Sequence, residues 1–341
     1  MRPRVATTLS CVLAVDTTPL PKRRRVPLFL AITLFTGVVG AAGTLVAARR
    51  AVDEVPRVAG VSALLDAVSG NIENYLLVGS DSRALGDPNT GGGTGDVSGS
   101  RSDTIMVLRL DTTTDEAALL SIPRDLYVET SVRTGRINGA YNDGPATLVQ
   151  AVQEALALPI HHYVEIDFFG FKALVEAVGG VEICFALPTR DLHTGLNIGV
   201  PGCFLLDGTQ ALAYARSRHY EELEADGEWH ERPGSDLARS TRQRDFVNRC
   251  LQQAVEQVKT NPFDTGDLVR AMGNAISIDD ELDPIGAASS LRTAVDAGLA
   301  TYSLPVYNEQ INGDAVLLLA QGSDEVLNFF RGTGPAPPPT S

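Results

Sequence analysis

The 341-residue chain carries a formal net charge of −14, and 44% of it is hydrophobic, enough apolar material for one large domain or two small ones. The charge is uneven: residues 1–25 hold six basic residues against Asp16, and the rest is acidic. That acidic body excludes nucleic acid as a general partner, because duplex binding leans on a broad basic field; any anion site here must be local.

Residues 1–25 read as a polar basic tail. Val26–Ala48 contains no charged residue and is long enough to span a bilayer. A cleaved signal peptide is the competing reading, disfavoured because the apolar run exceeds a usual signal h-region. Basic residues crowd its N-terminal flank, whereas Arg49 and Arg50 are soon followed by Asp53 and Glu54. The positive-inside rule then places the N-terminus in the cytoplasm and everything after about residue 50 outside. Residues 49–73 read as a helical connector, with Val58, Val61, Leu64, Leu65 and Val68 at helical spacing.

From residue 74 the pattern changes. Asn74–Gly79 is a short apolar run typical of a buried strand, and it delivers Ser80, Asp81, Ser82 and Arg83 at its C-terminal end. The Gly-, Asp- and Ser-rich stretch 84–100 reads as a loop that ends in Arg101-Ser102-Asp103, which opens a strand over Thr104–Asp111. A third strand, Ala117–Ile122, runs into Pro123-Arg124-Asp125. Each Arg/Asp neighbour pair alone reads as a surface ion pair of little consequence. Repeated at three strand ends, the arrangement points to one shared site, where open α/β sheets bind their ligands.

Arg136–Tyr141 leads into a helix over about 145–158, followed by a strand at Tyr163–Asp167 and a helix over Phe168–Val178 that Gly179 and Gly180 terminate. Phe168, Phe169 and Phe171 read as core, with a lipid-tail groove as the alternative. Cys184 and Cys203 sit in strand-like pieces flanking a polar loop. The favoured reading is a disulfide closing roughly 20 residues, worth about 3 kcal/mol in the chain-entropy model; two buried free thiols are the alternative. Cys250 reads as a buried thiol. The segment 315–330 reads as a closing helix, and residues 332–341 as a Pro-rich tail, leaving 74–331 as the folded domain.

Between Asp207 and Gln243 lie two pairs of arginines, Arg216 with Arg218 and Arg239 with Arg242. Asp207 can cap a short helix through Tyr214, which puts the first pair where that helix runs out. Asp236 can cap a long helix to about Val258, on which Arg239, Gln243, Phe246 and Cys250 form one stripe. Because the stripe turns apolar, Arg239 and Gln243 face inward at the mouth of a buried region, and an inward arginine needs an anion. The competing reading pairs these arginines with Glu221, Glu222, Glu224 and Asp226. Guanidinium forks grip phosphate oxygens in two places, so massed arginine favours a phosphate ligand.

Acids and arginines interleaved at strand ends suit phosphoryl chemistry. Asp81 and Asp103 can hold Mg²⁺, and arginines can spread transition-state charge. The Gly-x-Ser-x-Gly elbow, the Walker loop and zinc spacings are absent. Of the five histidines only His219, beside Arg218, falls near the cleft.

In order along the chain, Gly79-Ser80-Asp81-Ser82-Arg83, Arg101-Ser102-Asp103-Thr104, Ser121-Ile122-Pro123-Arg124-Asp125, Arg136-Ile137-Asn138 with Ala140-Tyr141, Leu206-Asp207-Gly208, Tyr214-Ala215-Arg216-Ser217-Arg218, and Asp236 with Arg239, Arg242 and Gln243 resemble the motif series of the LytR-CpsA-Psr family. The resemblance covers roughly residues 60–331. It implies an α/β/α sandwich with a central mixed sheet, preceded by one transmembrane helix, and a hydrophobic pocket for lipid. The implied activity moves a glycopolymer from a polyprenyl-pyrophosphate carrier onto peptidoglycan. By motif, Asp81 and Asp103 would be the Mg²⁺ carboxylates, Arg101, Arg124, Arg216, Arg218, Arg239 and Gln243 would grip the pyrophosphate, and Arg83 and Arg136 would support them. Asp103 or a bound water is left as the base. The cysteine positions and the histidine after Arg218 resemble actinobacterial members, which implies arabinogalactan or a related polymer. A pyrophosphatase acting on the same lipid, and a membrane-anchored protein that binds it without turnover, remain the alternatives.

Overall fold

Two apolar runs joined at Thr112–Asp115 form the centre of the molecule. The computed structural model describes residues 55–80, 102–232, 235–260 and 275–340, without the side chains of 103, 235–238, 257–260, 296 and 297. In chain order the elements are β1 (Ile72–Ser80), β2 (Ser102–Asp111), β3 (Glu116–Ile122), β4 (Tyr127–Glu129), β5 (Thr134–Arg136), α1 (Pro145–Leu156), β6 (His162–Ile166) and α2 (Phe168–Ala177). There follow β7 (Val181–Phe185), β8 (Thr189–Asp191), β9 (Leu196–Ile198), β10 (Gly202–Leu206), α3 (Gly208–Arg216), β11 (Glu221–Leu223), β12 (Trp229–Glu231) and α4 (Ser235–Thr260). The chain then gives β13 (Ile276–Ile278), α5 (Pro284–Ala297), β14 (Leu299–Ser303), β15 (Val306–Ile311), β16 (Asp314–Leu319) and α6 (Ser323–Phe330).

The protein is an α/β fold with a mixed six-stranded sheet in the order β13-β6-β1-β2-β3-β14. Ser80 lies opposite Ser102, Ile105 opposite Ile122, Gly79 opposite Ile166 and Ser121 opposite Ser303. The pairing therefore gathers the ends of five strands, and with them Pro123-Arg124-Asp125, at one edge of the sheet.

Alternation along the strands divides the core. Leu76, Val78, Val107 and Leu120 pack with α1 and α6 on one face, while Tyr75, Met106, Leu108 and Leu119 pack with α5 and with Val247 and Leu251 of α4 on the other. Burial on both faces explains why β1 to β3 read as continuous apolar runs. A separate cluster joins Val175, Ile183, Phe185, Leu206, Tyr214, Phe246 and Cys250, drawn from α2, β7, β10, α3 and α4.

Three expectations need correction. The connector's described part holds no α-helix, only a bridge from Arg57 to Ile278 and a 3₁₀ turn, Ser62–Leu64, before β1 begins at Ile72. Residues 314–319 pair as a strand with β15 instead of opening the last helix, which is confined to Ser323–Phe330. The cause is Asn312-Gly313, both at positive φ (56° and 89°), which closes a two-residue hairpin turn. Asp236 lies inside α4, one residue past its first, so it is not the cap. The tail also docks: Thr340 donates its N–H and hydroxyl to the Thr301 carbonyl, at 2.9 and 3.1 Å. Among the described residues no helix is long and apolar enough to cross a membrane; the expected spanning segment, 26–48, lies outside them.

Candidate functional site

The short helix α3 is locked at its start. Asp207 accepts hydrogen bonds from the N–H groups of Thr209 and Gln210, and Gln210 Oε1 accepts from the Asp207 N–H, a complete capping box. Gly208 follows because α2 passes too close for a side chain: a Cβ there would meet the Lys172 carbonyl oxygen at 2.6 Å. The far end of α3 delivers Arg216, whose guanidinium lies over the Phe168 ring at 4.4 Å.

Helix α4 supplies the opposite wall. Arg239, Gln243, Phe246 and Cys250 are 2, 9, 2 and 5% exposed, so the predicted stripe does face inward. Gln243 Nε2 donates to the Ala215 carbonyl at 3.2 Å. One residue away, Arg242 donates to the Ser217 carbonyl at 2.5 Å and lies over the Tyr220 ring at 4.6 Å. Burial pulls its ionisation below the usual arginine range. Arg242 thus clamps the chain leaving α3 instead of joining the cavity lining.

The residue that organises this region, Asp191, carries no signal that sequence reading picked out. It is fully buried at the end of β8. Its Oδ2 accepts from the Ser217 hydroxyl at 2.7 Å and from the Arg218 and His219 N–H groups at 3.0 Å each; Oδ1 accepts from the N–H groups of His193 at 2.8 Å and Thr194 at 3.3 Å. Burial opposes its charge, but these hydrogen bonds outweigh it and hold the carboxyl below the ordinary aspartate value. One carboxylate thereby ties the β8–β9 turn to residues 217–219.

The result is a cavity of about 300 Å³ lined by Asp191, His193, Thr194, Arg216, Arg218, His219, Arg239 and Gln243. Four expected anion ligands, Arg216, Arg218, Arg239 and Gln243, meet there, with His219 beside them. Three permanently cationic side chains around one enclosure can hold a polyanion such as a pyrophosphate. The carboxylates offered as competitors for these arginines are engaged elsewhere: Glu221 with Arg190 at 2.6 Å, Glu222 and Glu224 with Arg232, and Asp226 with His230 at 2.9 Å.

A second group forms at the sheet edge. Arg124 and Arg136 both approach Asp125, at 3.4 and 3.9 Å, and Arg136 also donates to the Ala315 carbonyl at 2.9 Å. Neither lines the cavity. Asp81, Arg83 and Arg101 lie outside the described residues, as does the side chain of Asp103; the Ser80–Ser102 pairing brings together the points where the chain leaves for and returns from that segment. Of the phenylalanines, Phe171 packs on Phe246 at 5.0 Å as core, while Phe169 is 65% exposed. Cys184 and Cys203 are joined across β7 and β10, and Cys250 is a buried free thiol whose ionisation burial pushes up to about 12.

A family model, the LytR_cpsA_psr family, matches residues 46–328. The chain belongs to that family. It is 38% identical over 266 residues to the "Probable cell wall biosynthesis protein LcpB" of Corynebacterium glutamicum, covering 76% of this chain but 61% of that protein, so the chain spans less than two thirds of that relative's length. It is 30% identical over 263 residues to the "Polyisoprenyl-teichoic acid--peptidoglycan teichoic acid transferase TagU" of Oceanobacillus iheyensis, covering 75% of this chain and 72% of the relative. The fold matches a solved "LytR-Csp2A-Psr enzyme from Actinomyces oris" with a TM-score of 0.61 at 24% identity, over 78% of this chain and 95% of the other.

Proposed function

We propose that this protein is a membrane-anchored phosphotransferase that moves a glycopolymer from a polyprenyl-pyrophosphate carrier onto peptidoglycan through a phosphodiester. The observation that carries the reading is the arginine-lined cavity between α3 and α4, whose charge and size suit a pyrophosphate group. Family membership and the activity printed in the name of the Oceanobacillus relative support the same reaction class. The paired Cys184 and Cys203 support a location outside the cytoplasm, where disulfides persist, consistent with Val26–Ala48 as a spanning helix and the basic tail inside.

In this reading Arg216, Arg218, Arg239 and Gln243 bind the pyrophosphate oxygens and hold the phosphorus in place for attack by a peptidoglycan sugar hydroxyl. Arg124 and Arg136, which stand together on Asp125 at the sheet edge, would with Arg83 and Arg101 contact the donor outside that cavity. Asp81 and Asp103, which flank the paired residues Ser80 and Ser102, would hold Mg²⁺. A bound Mg²⁺ there would neutralise phosphate charge.

The test uses the full chain in detergent micelles with a short polyprenyl-pyrophosphate glycan, Mg²⁺ and peptidoglycan fragments, with products read by mass. A glycan joined to the fragment through a phosphodiester, and lost in Arg239→Ala, supports transfer. Release of glycan phosphate alone, with acceptor present, would instead establish a pyrophosphatase. Retention of the intact lipid would establish a binding protein.

A further inference from the structure

The cavity contains a feature that anion binding does not use. His219 and His193 lie with ring centroids 4.4 Å apart, and His219 Nδ1 is 3.2 Å from Glu231 Oε1 on β12. Both imidazoles line the cavity that holds Arg216, Arg218 and Arg239. A phosphoryl transfer to a sugar hydroxyl needs a group that can accept the hydroxyl proton. The lining residues are few enough to sort. Guanidinium groups are protonated at any working pH, and Gln243 and Thr194 are not bases. Asp191 spends both carboxylate oxygens on five hydrogen bonds that hold the fold. Among the described lining residues the two imidazoles remain, and of these His219 has a carboxylate on one nitrogen. Since a carboxylate only accepts, Nδ1–H donates to Glu231, which leaves the Nε2 lone pair as the proton acceptor.

We propose that His219, oriented by Glu231, is the general base that deprotonates the acceptor hydroxyl. This rests on the transferase reading above. The acceptor oxygen attacks the glycan-side phosphorus while its proton passes to His219 Nε2. A new P–O bond forms, the bond from that phosphorus to the bridging oxygen breaks, and polyprenyl phosphate leaves with the electron pair. Glu231 is a positioning residue: it sets the tautomer and steadies the imidazolium that forms. Among the described residues, the charged and titratable groups around His219 are Glu231 on β12 and, in the shared cavity lining, His193 and Asp191 at the β8–β9 turn, Arg216 and Arg218 on its own segment, and Arg239 on α4.

The test compares wild type, His219→Ala, His219→Gln and Glu231→Gln in the full chain, with the same lipid-linked glycan, Mg²⁺ and peptidoglycan fragments. Donor binding is measured separately by titration without acceptor. General acid–base groups contribute about 10²- to 10⁴-fold, so both His219 variants are expected to lose at least about 10²-fold in kcat while keeping donor affinity within roughly threefold. Added imidazole should restore His219→Ala at least tenfold, and the acid limb of the wild-type kcat–pH profile should vanish in His219→Gln. Glu231→Gln should retain that limb at a lower plateau. Unchanged kcat in both variants, or lost donor binding in His219→Gln, or failure of imidazole to rescue, would overturn the base assignment. Absence of transfer by wild type at every pH would overturn the underlying reading instead, so the two failures are separable.

Discussion

Two groups of arginine in this protein are held by carboxylates in opposite ways. At the sheet edge, Asp125 lies against the guanidinium groups of Arg124 and Arg136 themselves. In the cavity, Asp191 binds the backbone N–H groups of Arg218 and His219 and the hydroxyl of Ser217 just before them. The first arrangement is an ordinary ion-pair cluster. The second binds main-chain N–H groups and one hydroxyl, so it fixes where residues 217–219 stand. A polyanion site gains from the second kind of scaffold, because the carboxylate that orders this segment does so through N–H and hydroxyl groups.

The largest effect should follow from removing Asp191. Asp191→Ala orphans one buried hydroxyl and four N–H groups and is expected to cost about 3 to 4 kcal/mol, measured as a shift of the urea midpoint. The pH sign follows from the depressed folded value. The contribution is complete above the unfolded aspartate value near 3.9 and is lost as pH falls through the folded one. Wild type should therefore lose stability below about pH 4, and Asp191→Asn should lose less over that interval. Asp111 and Asp279 are also held low by hydrogen bonds against the cost of burial, so some acid sensitivity remains. Equal stability of Asp191→Ala and wild type at pH 7 would remove the basis for the contrast.

Next comes the disulfide, which staples β7 to β10 beneath the same lobe. Replacing both Cys184 and Cys203 by Ala should cost about 3 kcal/mol for a loop of this length, with the sheet's own packing untouched. Calorimetry of wild type with and without reductant checks this, and the buried Cys250 should stay unmodified by thiol reagents in the native state.

How far these features could be read from sequence depended on the length of the period available. The α4 stripe from Arg239 to Cys250 was legible because four residues at one-turn spacing change from polar to apolar, which only an inward face explains. The strands β1 to β3 were legible as long apolar runs. The sheet β12-β11-β8-β9 was not, since each strand is three residues long and the segment's composition reads as loop. Asp191 escaped because four of its five partners are main-chain groups, up to 28 residues away, which no side-chain pattern records. The Asn312-Gly313 turn was present in the sequence, but the apolar run after it fits strand and helix alike, and the helix reading won wrongly.

Binding sharpens the comparison further. Arg239 is 2% exposed and lines the cavity, so Arg239→Ala should weaken binding of a lipid-linked glycan pyrophosphate by about 2 to 3 kcal/mol, close to a hundredfold. Titration of the purified full chain measures it. A loss under threefold would mean that the cavity does not hold the pyrophosphate.

The smallest effect belongs to the sheet edge. The Arg136 side chain is 40% exposed, its nearest carboxylate contacts are 3.8 and 3.9 Å, and its best bond is to a carbonyl. Exposed pairs of this kind contribute about 0 to 1 kcal/mol, so Arg136→Ala should leave the urea midpoint nearly unmoved. Because Asp125 sits on the guanidinium groups, neutralising it removes one negative charge beside them. Donor affinity in Asp125→Asn should therefore hold or rise slightly, whereas Asp191→Asn, studied at a temperature where it stays folded, should lower it. Opposite signs for two aspartate-to-asparagine changes beside arginines would separate a carboxylate that competes with the ligand from one that builds its site. The same sign for both would mean that the two arginine groups act as one.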